Sequence, residues 1–363
     1  MPAASAECHP VESALSSRAQ ARFRVIVDFV RKEEVSDVSL LQTQITARMD
    51  GRVTRLAEEG ALGRDEVQEM IRELLAQAPD RGQTLLAGDL AAVDFTARLH
   101  GKRFRVNVAR SRRELFASLR PLPDAPPENP AQVGLSAHLL ERFLSLSHGL
   151  VLVTGPAGAG KTTTIAALIE ALNRSREAKI ITVEDPVEFE FPCRRAEVIQ
   201  REVGVDVESY AAGLKDALRQ APDVIMLGEI RDSESATTAL QAAETGHLVI
   251  SSLHAQSAAE TISRYLLLGP AERAAEMRYV LAHSLRVIIN QRLLRKRGGG
   301  RLAVRELLVH APKVAAVIMR GNEQELRDQM LSGRDLGMVD FQTALRQSQG
   351  QLDPQEVARY RDA

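Results

Sequence analysis

The segment Gly155-Pro-Ala-Gly-Ala-Gly-Lys-Thr162 constrains this chain more than any other. An apolar run, Leu150 to Thr154, leads into it, and a helical stretch, Thr162 to Asn173, leads out. Strand, glycine-rich turn and helix start in that order form the context in which a phosphate loop has meaning. The glycines let backbone N–H groups point inward around a polyphosphate, and the helix start adds its positive dipole end. In this reading Gly155, Pro156, Ala157, Gly158, Ala159, Gly160, Lys161, Thr162 and Thr163 surround a nucleotide. Lys161 reaches the β and γ phosphates and Thr162 offers its hydroxyl to Mg²⁺. The competing reading, a glycine turn kept only for tight packing, leaves Lys161 and Thr162 without a reason.

The flanking pattern extends the argument from one turn to a fold class. Short β-branched runs at Leu150 to Thr154, Lys179 to Val183, Asp223 to Leu227 and His247 to Ser251 read as strands buried on both faces. Helical stretches at Thr162 to Asn173, Ser209 to Gln220 and Ser233 to Glu244 lie between them, the βαβ rhythm of a parallel-rich sheet. The runs Leu285 to Leu294 and Arg301 to Val309, joined through Gly298-Gly-Gly300, predict a hairpin at the sheet edge. Upstream, Pro121-Leu-Pro-Asp-Ala-Pro-Pro-Glu-Asn-Pro130 removes backbone donors and fixes φ repeatedly, so it reads as a linker. The predicted organisation is a tail over 1–21, a smaller α+β domain over 22–120, a linker over 121–132 and an α/β nucleotide-binding domain over 133–363. Within the smaller domain, Arg64 to Ala76 carries Val67, Met70, Ile71, Leu74 and Leu75 on one helical face, whereas Phe104-Arg-Val-Asn-Val108 alternates like a strand.

Hydrolysis needs more than a phosphate cradle. Lys179-Ile-Ile-Thr-Val-Glu-Asp185 and Asp223-Val-Ile-Met-Leu-Gly-Glu229 each end a strand in acid, and a parallel sheet delivers strand ends to the edge where the loop lies. Glu184, Asp185 and Glu229 can there hold a metal's waters and orient an attacking water; alternatively, such acids are solvated punctuation. His247 and His254 bracket a strand, and no compact Cys or His set completes a zinc site around them. Each is either a hydrogen-bonded structural histidine or a sensor of the γ-phosphate or a neighbouring subunit.

Charge and cysteine usage narrow the functional classes. With 47 basic against 48 acidic residues the net charge is −1, and aromatics make up 4% of the chain. Single-strand channels use basic grooves with aromatic stacking platforms, so direct nucleic-acid binding is not expected. Cys8 and Cys193 fit neither a disulfide framework nor a metal knuckle and read as reduced thiols of a cytoplasmic protein. No window approaches the roughly 20 apolar residues of a membrane span, and Met1 to Arg22 lacks a secretory signal pattern.

Four separated segments, Gly155 to Thr162, Val183-Glu-Asp-Pro-Val-Glu-Phe189, Leu227-Gly-Glu-Ile-Arg-Asp232 and Ala243-Glu-Thr-Gly-His-Leu-Val249 through Leu253-His-Ala255, together resemble the ATPases of type II secretion and type IV pili. There they are the Walker A loop, Asp box, atypical Walker B and His box. The resemblance implies a RecA-like P-loop motor core that forms rings, preceded by a PAS-like domain. It implies ATP and Mg²⁺ as ligands, Glu229 and Lys161 as catalytic groups, and Glu184 as support for the metal's water shell. His254 and His247 would couple nucleotide state to the neighbouring subunit. The stretch Arg103-Phe-Arg-Val-Asn107 matches the family's Arg-Phe-Arg-Val-Asn, which makes Arg103 and Arg105 phosphate contacts unless they form only the solvated face of a strand. Gln200-Arg-Glu-Val203 matches as well, placing Arg201 at a subunit interface. The implied partners are copies of the chain itself in a hexamer, an inner-membrane pilus or secretion platform protein and a paralogous motor ATPase.

The short amino-terminal region and the absence of a tetracysteine module are similar to the PilT-like retraction branch, as are Gly298 to Arg301 and Leu336 to Met338. Two departures stand out. Ser36-Asp-Val-Ser-Leu40 lacks the family's histidine, and Lys313-Val-Ala-Ala-Val-Ile-Met-Arg320 stands where that branch has Ala-Ile-Arg-Asn-Leu-Ile-Arg-Glu. Pilus retraction is the leading expectation; a nucleotide-binding regulatory paralogue and a nucleic-acid translocase are its rivals.

Overall fold

The computed structural model describes residues 17–49, 52–56 and 63–361. The chain divides into two compact units, Met1–Asp124 and Ala125–Ala363. Each has its own apolar cluster.

In the first unit, α1 (Ser17–Lys32), α2 (Arg64–Leu75) and α3 (Pro79–Ala87) accompany an antiparallel sheet. Its strands are β1 (Val35–Leu41), β2 (Gln44–Met49), β3 (Arg52–Arg55), β4 (Ala92–Leu99), β5 (Lys102–Ser111) and β6 (Glu114–Pro121), in the order β3-β2-β1-β6-β5-β4. Alternate residues of β5, Phe104, Val106 and Val108, are buried with Val67, Met70, Ile71 and Leu74 of α2 in one cluster. The α-helical period and the strand period meet there to make the core. Helix α1 starts at Ser17, inside the segment expected as a tail, because Ala19, Phe23, Ile26 and Val27 lie on one face and are buried. The rest of that expected tail, with Cys8, lies outside the described residues.

The second unit is built on a seven-stranded sheet in the order β13-β12-β7-β11-β10-β8-β9. Its strands are β7 (Gly149–Thr154), β8 (Lys179–Glu184), β9 (Glu197–Glu202), β10 (Val224–Leu227), β11 (Leu248–Leu253), β12 (Leu285–Arg295) and β13 (Arg301–Val309). All neighbours pair in parallel except β12 and β13, the antiparallel hairpin at one edge. Every residue of β7, β10 and β11 is buried, the burial expected where helices cover both faces of a parallel sheet. The chain moves from β7 out to β8, then back through β10 and β11 to β12. Right-handed crossovers therefore set α5 (Lys161–Ser175) on one face and α6 (Tyr210–Leu218) and α7 (Ser233–Glu244) on the other. Before the sheet comes α4 (Ala137–Ser145); after β11 come α8 (Ala258–Leu268), α9 (Ala274–Ser284), α10 (Pro312–Arg320) and α11 (Leu326–Ser332). Helices α12 (Phe341–Ser348) and α13 (Pro354–Arg361) form a small satellite cluster with Leu294 and Val304 of the hairpin.

The proline-rich stretch is tied at both ends. Leu122 is buried and its N–H donates to the Arg103 carbonyl at 2.9 Å. At the other end Asn129 and Gln132 form a reciprocal cap around a 3₁₀ turn, Pro130–Val133. Strand β9 was not predicted: Glu197, Gln200, Arg201 and Glu202 give it no apolar alternation, and an edge strand needs none. Among the described residues, no helix is long and apolar enough to cross a membrane.

Candidate functional site

The phosphate loop takes its shape from glycine and from its neighbour β12. Gly155, Gly158 and Gly160 have φ of 146°, 74° and 82°. A Cβ on Gly155 would lie 2.2 Å from the Gln291 carbonyl oxygen, so close approach of β12 requires glycine there. That approach follows from register, since β12 pairs Asn290 with Thr154 at the end of β7. The first-turn amides of α5 are free of helix partners by construction and face forward from Lys161 and Thr162, a setting suited to phosphate oxygens. Lys161 is half-buried, and its Nζ donates to the Gly155 and Pro156 carbonyls at 3.1 and 3.2 Å. Burial pushes its ammonium below the ordinary lysine range, and the Glu229 carboxylate opposes that shift.

His254, just beyond β11, bridges Lys161 and Glu229. Its Nδ1 lies 3.4 Å from Lys161 Nζ and its Nε2 lies 3.4 Å from Glu229 Oε1. With the ammonium as donor, Nδ1 accepts, which leaves the proton of a neutral ring on Nε2, within ion-pair distance of the carboxylate. The other Glu229 oxygen is held by the Arg231 guanidinium at 2.9 Å. Two serines of β11 fix the backbone of that turn: Ser251 Oγ donates to the Leu227 carbonyl and Ser252 Oγ to the Gly228 carbonyl, at 2.9 and 2.7 Å. Asp232 then caps α7 through the Ser235 N–H.

Glu184 ends β8 in a different environment. It is 4% exposed, and one carboxylate oxygen accepts from Thr182 Oγ1 at 2.7 Å and Gln200 Nε2 at 3.0 Å. Desolvation outweighs these bonds and pushes its carboxyl up to about 7. Its neighbour Asp185 is exposed, so the two acids at this strand end are not equivalent. Tyr210, at the start of α6, places its hydroxyl 3.0 Å from where a Gly228 Cβ would stand, and that point is 3.6 Å from the Glu184 Cα. A Cβ at 228 would crowd the Tyr210 hydroxyl, so glycine there eases the approach of Tyr210 to the turn after β10.

The remaining residues singled out from sequence are dispersed. His247 sits at the opposite end of β11 from His254, its Nδ1 3.1 Å from the Ala242 carbonyl, where it serves the carboxyl end of α7. Arg201 on β9 pairs with Asp216 at 3.4 Å and donates to the Asp206 carbonyl at 3.3 Å. In the amino-terminal unit Arg103 is buried at 6% exposure rather than solvated, and Arg105 lies 3.7 Å from Asp94. Thr162 is half-buried and Thr163 exposed at the start of α5. Gln291, Arg305 and Asn290 sit against the loop or the His254 segment without belonging to any motif. Asn290 is fully buried and donates to Thr154 Oγ1 and the Ala255 carbonyl, both at 2.9 Å. No sequence signal marks them, because an amide on an apolar strand reads as noise until its partners are known.

The donor set fits a Mg²⁺-bound polyphosphate: an inward-facing loop, one ammonium, one helix-start hydroxyl and two strand-end carboxyl groups. Mg²⁺ keeps several waters and needs few protein ligands of its own. Among the described residues, no group of three or more His, Cys, Asp and Glu could itself hold a metal ion.

Residues 129–359 match the family described as type II/IV secretion system protein. An uncharacterized protein of Escherichia coli, YggR, is 37% identical over 328 residues, covering 90% of this chain and 98% of its own. The type IV pilus retraction ATPase PilT of Pseudomonas aeruginosa is 39% identical over 254 residues, covering 70% of this chain and 73% of its own. Among solved structures, that of a pilus retraction motor PilT with bound ADP superposes with a TM-score of 0.83 at 35% identity, over 92% of this chain and 95% of the other.

Proposed function

Since the chain belongs to the type II/IV secretion system protein family, we propose that it is a Mg²⁺-dependent ATPase working as a ring of like subunits on pilus or secretion machinery, with pilus retraction as its task. One observation carries the hydrolytic part of this reading: His254 joins Lys161 of the phosphate loop to Glu229 of the neighbouring strand end. In this reading Lys161 neutralises phosphate charge, and Thr162 and Glu184 hold the metal and its waters. Bound Mg²⁺ would supply Lewis-acid charge stabilisation at the phosphates. Glu229 orients the attacking water or takes its proton, and Arg231 keeps one of its oxygens from swinging away. His254 can report a change at Lys161 to Glu229, or the reverse. Arg103, Arg105 and Arg201 are proposed as contacts made in the assembled ring, and His247 as a support for the end of α7. The ring would act at the inner membrane on a platform protein, from the cytoplasmic side.

The test is Mg²⁺-ATP turnover across a protein concentration series with mass measured on the same samples. Turnover is expected to appear with assembly, and Glu229→Gln to lower it by roughly 10²–10³-fold while ATP binding persists. Retained turnover in that variant would remove Glu229 from its role. A second reading rests on α10, where Ala315 is buried and Met319 is 43% exposed at positions that are polar in the retraction branch. There the chain would bind nucleotide as a regulatory paralogue in a mixed ring. A confirmed assembly that binds ATP without turnover selects it.

A further inference from the structure

Gln291 on β12 and Arg305 on β13 stand directly opposite each other in the hairpin register. The Gln291 side chain is buried at 1% exposure, and both ends of its carboxamide are hydrogen-bonded. Its Nε2 donates to the Ala159 carbonyl of the phosphate loop at 2.6 Å. Its Oε1 accepts from Thr164 Oγ1, in the first turn of α5, at 2.9 Å and from Arg305 Nε at 3.2 Å. The other Arg305 nitrogens donate to the Gly134 carbonyl at 3.0 Å, to the Val133 carbonyl and to Thr164 Oγ1 at 3.4 Å. One planar guanidinium thus joins the segment following the proline-rich stretch, the start of α5 and, through Gln291, the loop itself.

Two physical consequences follow. A trans peptide sets its C=O and N–H on opposite sides, so anchoring the Ala159 oxygen toward β12 turns the Gly160 N–H away from β12. Gln291 thereby dictates the direction of a loop amide. Secondly, among the described residues no carboxylate lies within ion-pair distance of Arg305. Burial lowers its guanidinium to about 10, a mark of how little compensates the charge. A half-buried cation with hydrogen bonds but no counter-ion is costly, and a polyanion bound in front of it recovers part of that cost.

We propose that Gln291 and Arg305 are positioning residues of the nucleotide site: Gln291 aims the phosphate-loop amides, and Arg305 holds Gln291 while adding positive field behind the loop. The proposal rests on the nucleotide-binding reading above and deepens it. Mg²⁺-ADP affinity is measured by calorimetry on the full chain at several salt concentrations, for the parent and for Gln291→Ala, Gln291→Glu, Arg305→Gln and Arg305→Lys, with Lys161→Ala as the site control. Gln291→Ala and Gln291→Glu each lose the donor to Ala159 and should weaken binding about tenfold. Arg305→Gln should weaken it similarly and flatten the salt dependence; Arg305→Lys keeps the charge and should keep the slope while losing affinity. A merely structural residue would lower affinity without separating Lys from Gln in the slope. Equal slopes for the two Arg305 variants overturn the field, and Gln291 variants within twofold of the parent overturn the aiming. If the parent shows no ADP binding that Lys161→Ala abolishes, the site reading itself falls, and this proposal with it. The isosteric Gln291→Glu and the cationic Arg305→Lys keep both arms decisive should a more drastic variant fail to fold.

Discussion

Three residues show how differently a single position can be constrained at this site. At Gly155 the constraint is both steric and torsional, because a Cβ would collide with the Gln291 carbonyl while φ stands at 146°. Gly155→Ala should therefore weaken nucleotide binding by at least about tenfold and cost about 2 kcal/mol or more of stability. Gly158→Ala meets no atom within 4 Å and should cost only the left-handed backbone penalty, about 1–2 kcal/mol. Parallel melting curves and ADP titrations check the contrast. Glu184 is constrained by desolvation. Its folded-state carboxyl titrates near 7 against an ordinary 4.5, so the native state holds an extra proton between those values. The stability linked to this group is complete below about pH 4.5 and is lost as pH rises through about 7. Glu184→Gln should then stabilise the protein progressively relative to the parent between pH 5 and 8, by up to about 3 kcal/mol, as read by denaturant melts at each pH. Lys161, Thr162 and Glu229 are legible in sequence because their chemistry is tied to a motif. Gln291 and Arg305 are not, because their partners around the loop lie more than a hundred positions away, and it takes the pairing of β12 with β7 and the hairpin register together to bring them there.

Among the elements, those with a helical period or a glycine turn between apolar runs were easiest to foresee. Helix α7 spans Ser233–Glu244 as its pattern predicts, and the hairpin of β12 and β13 turns at Gly298 to Gly300. Strand β9 escaped because edge strands carry polar residues that carry no period. Helix α10 marks a place where local sequence and function diverge. Val314, Val317 and Ile318 are buried and fix the helix, while Ala316 is half-buried and Met319 exposed. Ala316→Asn and Met319→Arg should each stay within about 0.5 kcal/mol of the parent in thermal melts. Ala315→Arg, at 7% exposure, should destabilise by about 1–3 kcal/mol, because a long side chain must displace packed neighbours. The polar face seen in the retraction branch cannot be restored at 315 as easily as at 319.

For the whole molecule, the division after Asp124 separates two units with separate cores, so residues 125–363 expressed alone should melt cooperatively and bind ADP. A fragment without cooperative melting would show that the carboxyl-terminal core needs its neighbour. The proline-rich stretch spans this division, and the capped turn at Pro130–Val133 stands at its end. The two flanks of the seven-stranded sheet differ in a way that bears on life in a crowded cell. On one side β13 is overlaid by α12; on the other, backbone groups of β9 are taken locally, those of Val198 by the Cys193 Sγ and those of Glu202 by the Asp206 carboxylate and the Val205, Asp206 and Val207 amides, beside the mixed charge of Glu197, Arg201 and Glu202. A foreign strand adding there would have to bury or match that mixed charge, which is a penalty rather than an invitation. The open parallel sheet is thereby guarded against strand addition at this flank twice over, by backbone groups already taken and by charge that a foreign strand would have to match.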